Sequence, residues 1–204
     1  MKLREVAELS QQERSQFKIN HKNVEAWLVR MGVQNFTIDP HTNVVDVNGD
    51  VNCRSGATGG GVGPLSIIPI QFGIVTGGFD CSGQALTSLA GCPHTVGYSF
   101  SCSANRALTS LHGAPSTIGG NLYCHATKII SLHGIEKIVK KAGGKLSCNA
   151  EVTHILGLLL VDGFTEFDIK PEVNRIMNKY IGTGDIIAAQ DELIDAGFIE
   201  QARL

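Results

Sequence analysis

Between residues 44 and 150 the apolar residues recur in short alternating bursts and not on a helical period. Phe79-Asp80-Cys81, Phe100-Ser101-Cys102 and Leu122-Tyr123-Cys124 each place two apolar side chains around one polar one. That period of two predicts short strands with one face buried. Each burst is followed by a spaced apolar pair, Leu86 with Leu89, Leu108 with Leu111 and Ile129 with Leu132, and then by glycine or proline. The two ends of the chain read differently. Val24, Trp27, Leu28 and Met31 fall on one helical face, with Asn23 as a candidate cap and Gly32 as a stop. Within 165–204, Val173, Ile176 and Tyr180 follow Pro171 on one face; Ile186, Ala189 and Leu193 follow Asp185, and Gly197 ends the second helix.

The bursts form a repeat. Cys53, Cys81, Cys102, Cys124 and Cys148 lie 28, 21, 22 and 24 residues apart. Leu86-Thr-Ser-Leu89 and Leu108-Thr-Ser-Leu111 recur in step with them, as do the turn prolines Pro93 and Pro115. This has the logic of a leucine-rich repeat, in which no unit buries its apolar face alone and neighbours must stack. The expected fold is a repeat solenoid of about five coils, each with a short parallel strand, closed by helical caps. The expected division is a cap and opening strand over 1–43, the solenoid over 44–150 and a helical cap over 151–204. Trp27 is expected in the core of the first cap. The strand register sets the outward positions as Asp50/Asn52/Arg54, Gly78/Asp80/Ser82, Ser99/Ser101/Ser103, Asn121/Tyr123/His125 and Lys145/Ser147/Asn149. The candidate partner-binding residues on that face are Arg54, Asp80, Ser101, Asn121, Tyr123 and His125, with Tyr123 and Arg54 first because binding hot spots favour tyrosine and arginine.

The units resemble a leucine-rich-repeat family common in tailed-phage genomes, through runs such as Leu108-Thr-Ser-Leu-His-Gly-Ala-Pro115 followed by Gly119-Gly-Asn-Leu-Tyr-Cys124. Phe36-Thr-Ile-Asp39, Val45-Asp-Val-Asn-Gly-Asp-Val51, Ile155-Leu-Gly-Leu-Leu-Leu160 and Gln190-Asp-Glu-Leu-Ile-Asp-Ala-Gly197 extend the resemblance over nearly the whole chain. It implies a phage protein acting in the host cytoplasm, and it implies no particular biochemical activity. Two departures stand out: the repeat asparagine survives only at Asn105, with Gln84 and Thr127 elsewhere, and a glycine-rich insertion over 56–63 interrupts the first units.

Composition narrows the function classes. Hydrophobic residues make up 43% of the 204, enough for a core, while charged residues are 18%, below the roughly 25% of a typical soluble domain. A formal charge of -2 disfavours nucleic acid and membrane surfaces, where clustered positive charge is needed. Residues 151–204 carry ten acids against four bases. A charged N-terminus without an apolar stretch, and no apolar run near 20 residues, suggest a protein that is neither secreted nor membrane-spanning. Cysteines spaced by more than twenty residues form no zinc motif, and reading them as inward-facing thiols leaves Cys92, in a turn, as the expected exposed one. His112 and His133 share a repeat position and are expected side by side at a surface turn. The glycine-rich insertion lacks the lysine of a phosphate-binding loop. Asp46 and Asp50 are expected to be solvated, and Lys137, Lys140, Lys141 and Lys145 lack the interleaved aromatics of a single-strand platform. No catalytic constellation, metal site or cofactor site emerges. The leading expectation is a non-catalytic protein–protein interaction module with an unknown, plausibly host, protein as partner, self-association being open. The alternative is a protein that sequesters a small molecule or nucleotide between the insertion and the repeat face.

Overall fold

The computed structural model describes residues 21–54 and 64–204. The insertion over 56–63 and the first twenty residues lie outside this range. The described chain is a parallel β-solenoid built on two six-stranded sheets. It opens with helix α1 (His21–Arg30) and strand β1 (Phe36–Ile38). It then passes alternately through sheet A and sheet B: β2 (Val45–Val47) and β3 (Val51–Asn52), β4 (Phe72–Val75) and β5 (Phe79–Asp80), β6 (Thr95–Val96) and β7 (Phe100–Ser101), β8 (Thr117–Ile118) and β9 (Leu122–Tyr123), β10 (Lys141–Ala142) and β11 (Lys145–Ser147). These strand pairs trace about four full turns. A short helix α2 (Ile135–Ile138), a 3-10 helix (Leu156–Leu160), strand β12 (Glu166–Asp168), and helices α3 (Pro171–Met177) and α4 (Ile186–Asp195) complete the chain.

The repeat solenoid is therefore present, with a second strand in each coil that the alternation did not reveal. The strands of sheet B carry the Phe-x-Cys bursts, and those of sheet A precede them by a corner of two or three residues. Val75 and Phe79, Val96 and Phe100, Ile118 and Leu122, and Ala142 and Leu146 are the inward residues on either side of that corner, and all are buried. The core is one continuous column. Its aromatic part runs from Trp27 to Phe72 (centroids 6.4 Å), to Phe79 (5.1 Å) and to Phe100 (6.0 Å). Trp27 is thus partly buried against the core, as a capping residue should be.

The corner has a strict geometric requirement. Successive coils approach so closely there that a Cβ on Gly97 would lie 2.0 Å from the Thr76 carbonyl oxygen. On Gly119 it would lie 1.9 Å from the Gly97 oxygen, and on Gly143 2.3 Å from the Gly119 oxygen. The obstacle in each case is backbone held by inter-coil hydrogen bonds such as Gly119 N to Val96 O (2.8 Å) and Gly143 N to Ile118 O (2.9 Å). It cannot swing aside as a side chain would.

The inward cysteines make a second column. Cys81 Sγ donates to the Ser101 carbonyl at 3.3 Å, Cys102 Sγ to the Tyr123 carbonyl at 3.6 Å and Cys124 Sγ to the Ser147 carbonyl at 3.7 Å. A thiol here is small enough for the stack and gives a weak donor to the next coil. Beside it, Asn105 is fully buried: its Nδ2 donates to the Cys81 and Cys102 carbonyls (2.9 and 2.8 Å), and its Oδ1 accepts from Leu86 N (3.0 Å). Gln84 and Thr127 hold the equivalent place with fewer bonds, through Leu65 N to Gln84 Oε1 (2.9 Å) and Thr127 Oγ1 to the Cys124 carbonyl (2.9 Å).

Several expectations need correction. Cys92 is 5% exposed. Its backbone makes the turn, with Cys92 N bonding Leu89 O at 3.0 Å, but its thiol points inward, where burial pushes its pKa up. Burial likewise pushes up the Cys53 and Cys102 thiols. For Cys81 the neighbouring Cys92 thiol, and for Cys148 the Cys124 thiol, is the larger cause, followed by burial. Asn23 lies inside α1 and does not cap it. Asp46 and Asp50 are not merely solvated: Asp46 Oδ1 accepts from Ile74 N (2.6 Å) and Asp50 Oδ1 from Gly78 N (2.7 Å), each joining one coil to the next.

The solenoid also runs past residue 150. Strand β12 pairs in parallel with β11, so sheet B gains a sixth strand from the region expected to be a helical cap. Beyond it, α3 lends side chains to the strand's free edge. Asn178 Oδ1 accepts from Phe167 N (2.8 Å) and Asn174 Oδ1 from Ile169 N (2.8 Å), where a further coil would otherwise supply carbonyls. Pro171 opens α3, and Asp185 caps α4 through Ala188 N (3.0 Å), as the sequence suggests. The helices are tied by Tyr180 OH donating to Glu192 Oε2 (3.0 Å) and by the Lys179 ammonium on the other carboxylate oxygen.

Two outcomes test this packing. Gly119→Ala should cost about 3 kcal/mol or more in urea unfolding, because neither backbone can yield. Gly83→Ala should cost only about 1 kcal/mol, the price of a left-handed alanine. Nothing lies within 4 Å of the Gly83 Cβ position, and the equivalent Ala104 and Ala126 already adopt φ of 57° and 54°. Equal costs would contradict the close approach. Separately, a thiol reagent should modify none of the six buried cysteines quickly in the native protein and all six on unfolding; rapid native labelling of Cys92 would place it back on the surface.

Candidate functional site

The outward face of sheet B is a lattice of side chains set by strand register. Along its central line Asn52 lies beside Asp80, Asp80 beside Ser101, Ser101 beside Tyr123, Tyr123 beside Ser147 and Ser147 beside Asp168. Two residues earlier in each coil stand Asp50, Gly78, Ser99, Asn121, Lys145 and Glu166. Two residues later stand Arg54, Ser82, Ser103 and His125, while Asn149, expected outward, turns back to the preceding coil, its Nδ2 donating to the Thr127 and Ile129 carbonyls at 3.0 and 3.3 Å. Residue size along this lattice is uneven. The first coil presents Asp50, Asn52 and Arg54, the fourth presents Tyr123 and His125, and the two between carry glycine, serine and one aspartate. The face is consequently hollowed between two walls, giving a groove of about 670 Å³.

Five of the six candidate residues line this groove: Arg54, Asp80, Ser101, Tyr123 and His125. Asn121 stands behind the wall. Its Nδ2 donates to Tyr123 Oη at 2.6 Å, and its Oδ1 accepts from Lys145 N at 2.7 Å. It is therefore a positioning residue for Tyr123 and a link to the next coil. Ser103, assigned to the outward face, is 4% exposed, because its Oγ turns to His125 Nδ1 at 3.1 Å and is covered by it. The sequence missed the hollow itself, and with it the turn residues Gly83 and Ala104 at the rim. The available signal was the run of small side chains in two adjacent coils.

Most polar groups on this face are fixed before any ligand arrives. Asp50 is held by Gly78 N, and Asp80 Oδ1 accepts from Ser82 N at 2.9 Å. Asn52 Oδ1 accepts from Arg54 N at 3.0 Å, and Ser99 Oγ from Asn121 N at 3.1 Å. Each acid keeps its other oxygen outside these bonds. At the far end of the sheet Lys145 bridges Glu166 and Asp168, at 3.3 Å each, which holds its ammonium above the usual lysine pKa, with Asp168 the larger cause. That ion pair takes one member of the lysine cluster out of play.

The Ser103–His125 contact does not read as a nucleophile and its base. The serine is buried, and Asp80 bonds the Ser82 amide. Among the described residues no partner orients His125 Nε2, as acyl-transfer chemistry would require. At the histidine turns, the rings of His133 and His154 are in contact, at 5.6 Å between centroids. Among the described residues no group of three or more His, Cys, Asp or Glu side chains is placed to hold a metal ion. Among them, too, no helix is long and apolar enough to cross a membrane. No protein-family model, curated protein or solved structure matches the chain.

Asn121→Ala should destabilise the protein by about 1–2 kcal/mol, the cost of leaving the Lys145 amide without its acceptor. It should also broaden the Tyr123 ring resonances in NMR, because the hydroxyl loses its anchor. Unchanged stability with sharp, unshifted Tyr123 signals would remove Asn121 from this role.

Proposed function

We propose that the chain is a non-catalytic recognition module that binds a partner protein on the outward face of sheet B. The observation carrying this reading is the hollowed, pre-positioned polar face, walled by Arg54 on one side and Tyr123 with His125 on the other. Bonds to neighbouring amides hold Asp50, Asn52 and Asp80, and Asn121 holds the Tyr123 hydroxyl, so little freedom of these side chains is lost on binding. Arginine and tyrosine at the walls are the residue types that most often dominate binding energy. The resemblance to phage repeat proteins adds a host protein as the partner and the host cytoplasm as the place of action. Six unpaired cysteines suit a reducing compartment.

Capture of a small ligand is the second reading, and the groove favours it. Its volume of about 670 Å³ falls inside the roughly 300–1,000 Å³ range of small-molecule sites. Arg54, which lines that groove, is the last described residue before the glycine-rich insertion.

The test of the first reading is affinity capture from bacterial lysate with the wild-type chain and with Tyr123→Ala and Arg54→Glu. A specific partner should be recovered by the wild type and depleted about tenfold or more by each variant, as expected for hot-spot residues. A partner held equally by all three, or recovery of the chain's own copies alone, would overturn the assignment of this face. For the second reading, a metabolite and nucleotide panel should raise Tm for at least one compound; no shift from any compound would remove it.

A further inference from the structure

We propose that the ligand of the sheet B groove is a neutral sugar chain, an inference that rests on the small-ligand reading and names its chemical class. The argument starts from what the groove offers. Its floor is dense in hydroxyls, from Ser82, Ser99 and Ser101, with the Tyr123 hydroxyl at the wall. The Ser101 hydroxyl has no partner among the described residues. Asp50 and Asp80 each have one oxygen pinned by a backbone amide, at 2.7 and 2.9 Å, which leaves the second oxygen of each fixed in place as an acceptor. Vicinal hydroxyls of a sugar donate to such carboxylates and accept from serine hydroxyls and from the Arg54 guanidinium. Tyr123, steadied by Asn121, supplies a ring face for the apolar C–H side of a pyranose.

Other ligand classes fit less well. A phosphate or other anion would meet two carboxylates against a single arginine. An extended peptide cannot be added as a strand here, because β5 and β7 form the floor and both edges of each are already paired. Nor does it find an apolar pocket, since the side chains of Val51 and Phe79 beneath the groove are buried in the core. An apolar ligand would leave the two acids and the serines without partners. The central line from Asn52 to Tyr123 crosses four strands, a length of roughly 14 Å at about 4.8 Å per strand. It therefore suits a linear oligosaccharide lying across the strands.

The experiment is a titration of the full chain with linear neutral oligosaccharides of glucose, mannose and N-acetylglucosamine. It is followed by ligand-detected NMR, with inorganic phosphate, a nucleotide set and an acidic oligosaccharide in parallel. At least one neutral series should bind, more tightly as the chain lengthens. Asp80→Asn and Tyr123→Ala should each weaken it about tenfold, and Ser101→Arg, which fills the floor, should abolish it. Lys137→Ala, away from the groove, should leave it unchanged, and circular dichroism should show all variants folded. Binding of phosphate or the acidic oligosaccharide alone, or sugar binding that survives Ser101→Arg, would overturn the proposal. A flat sugar series beside a nucleotide hit lost in Ser101→Arg would overturn the sugar and keep the small-ligand reading. Flat results throughout would overturn both.

Discussion

Everything in this molecule depends on how closely one coil can lie on the next. At the corner between the sheets, the carbonyl oxygens of Thr76, Gly97 and Gly119 occupy the space that a Cβ on the following coil would need. Glycine there sets the spacing, and the spacing sets the rest. It brings backbone amides and carbonyls of successive coils into hydrogen-bonding range. It puts the thiols of Cys81, Cys102 and Cys124 within reach of the next coil's carbonyls. It also lets side chains such as Asp50, Ser99 and Asn121 reach the backbone of the coil that follows. The hydrophobic column supplies the driving force, but without the close approach each coil would be an isolated loop with too little apolar surface to stay folded.

The parts of this arrangement that repeat in residue type were legible in the sequence. The Phe-x-Cys bursts, the Leu-Thr-Ser-Leu segments and the asparagine at Asn105 identify the coil and the register of sheet B. Sheet A left a fainter trace. Its strands β6, β8 and β10 each bury a single residue, Val96, Ile118 or Ala142, and one residue cannot show an alternation. Cys92 departs from its expected exposure because in a narrow coil a residue whose backbone makes the turn can still face inward. Strand β12 was hidden in a stretch dominated by helical signals. Its Phe167 fills the place of Leu146 in the preceding coil, and no cysteine follows to mark it.

The candidate site was legible as a face and not as a shape. Alternation placed Arg54, Asp80, Ser101, Tyr123 and His125 on one side of the sheet, where they are found. That the face is hollow follows from side-chain volumes in neighbouring coils, a comparison across the stack that becomes available only once the register is known. The rigidity of the face comes from the same bonds that hold the coils together. Asp50 and Ser99 serve the fold with one atom and border the groove with the rest, while Asn121 behind the wall holds both Tyr123 and the next coil, so the face is stiff without any element devoted to stiffening it.

The asparagines of α3 carry a different consequence. A parallel stack with an open end is a template, since its last strand offers the same unfilled amides to any arriving strand, including one from an identical molecule. Asn174 and Asn178 occupy those amides at β12 with groups that belong to a helix and so cannot pass the pattern on. They terminate growth as a chain stopper terminates a polymer. The protein thereby keeps the backbone geometry of a fibril subunit while remaining at that end a finite particle, and the number of its coils is written in its own sequence.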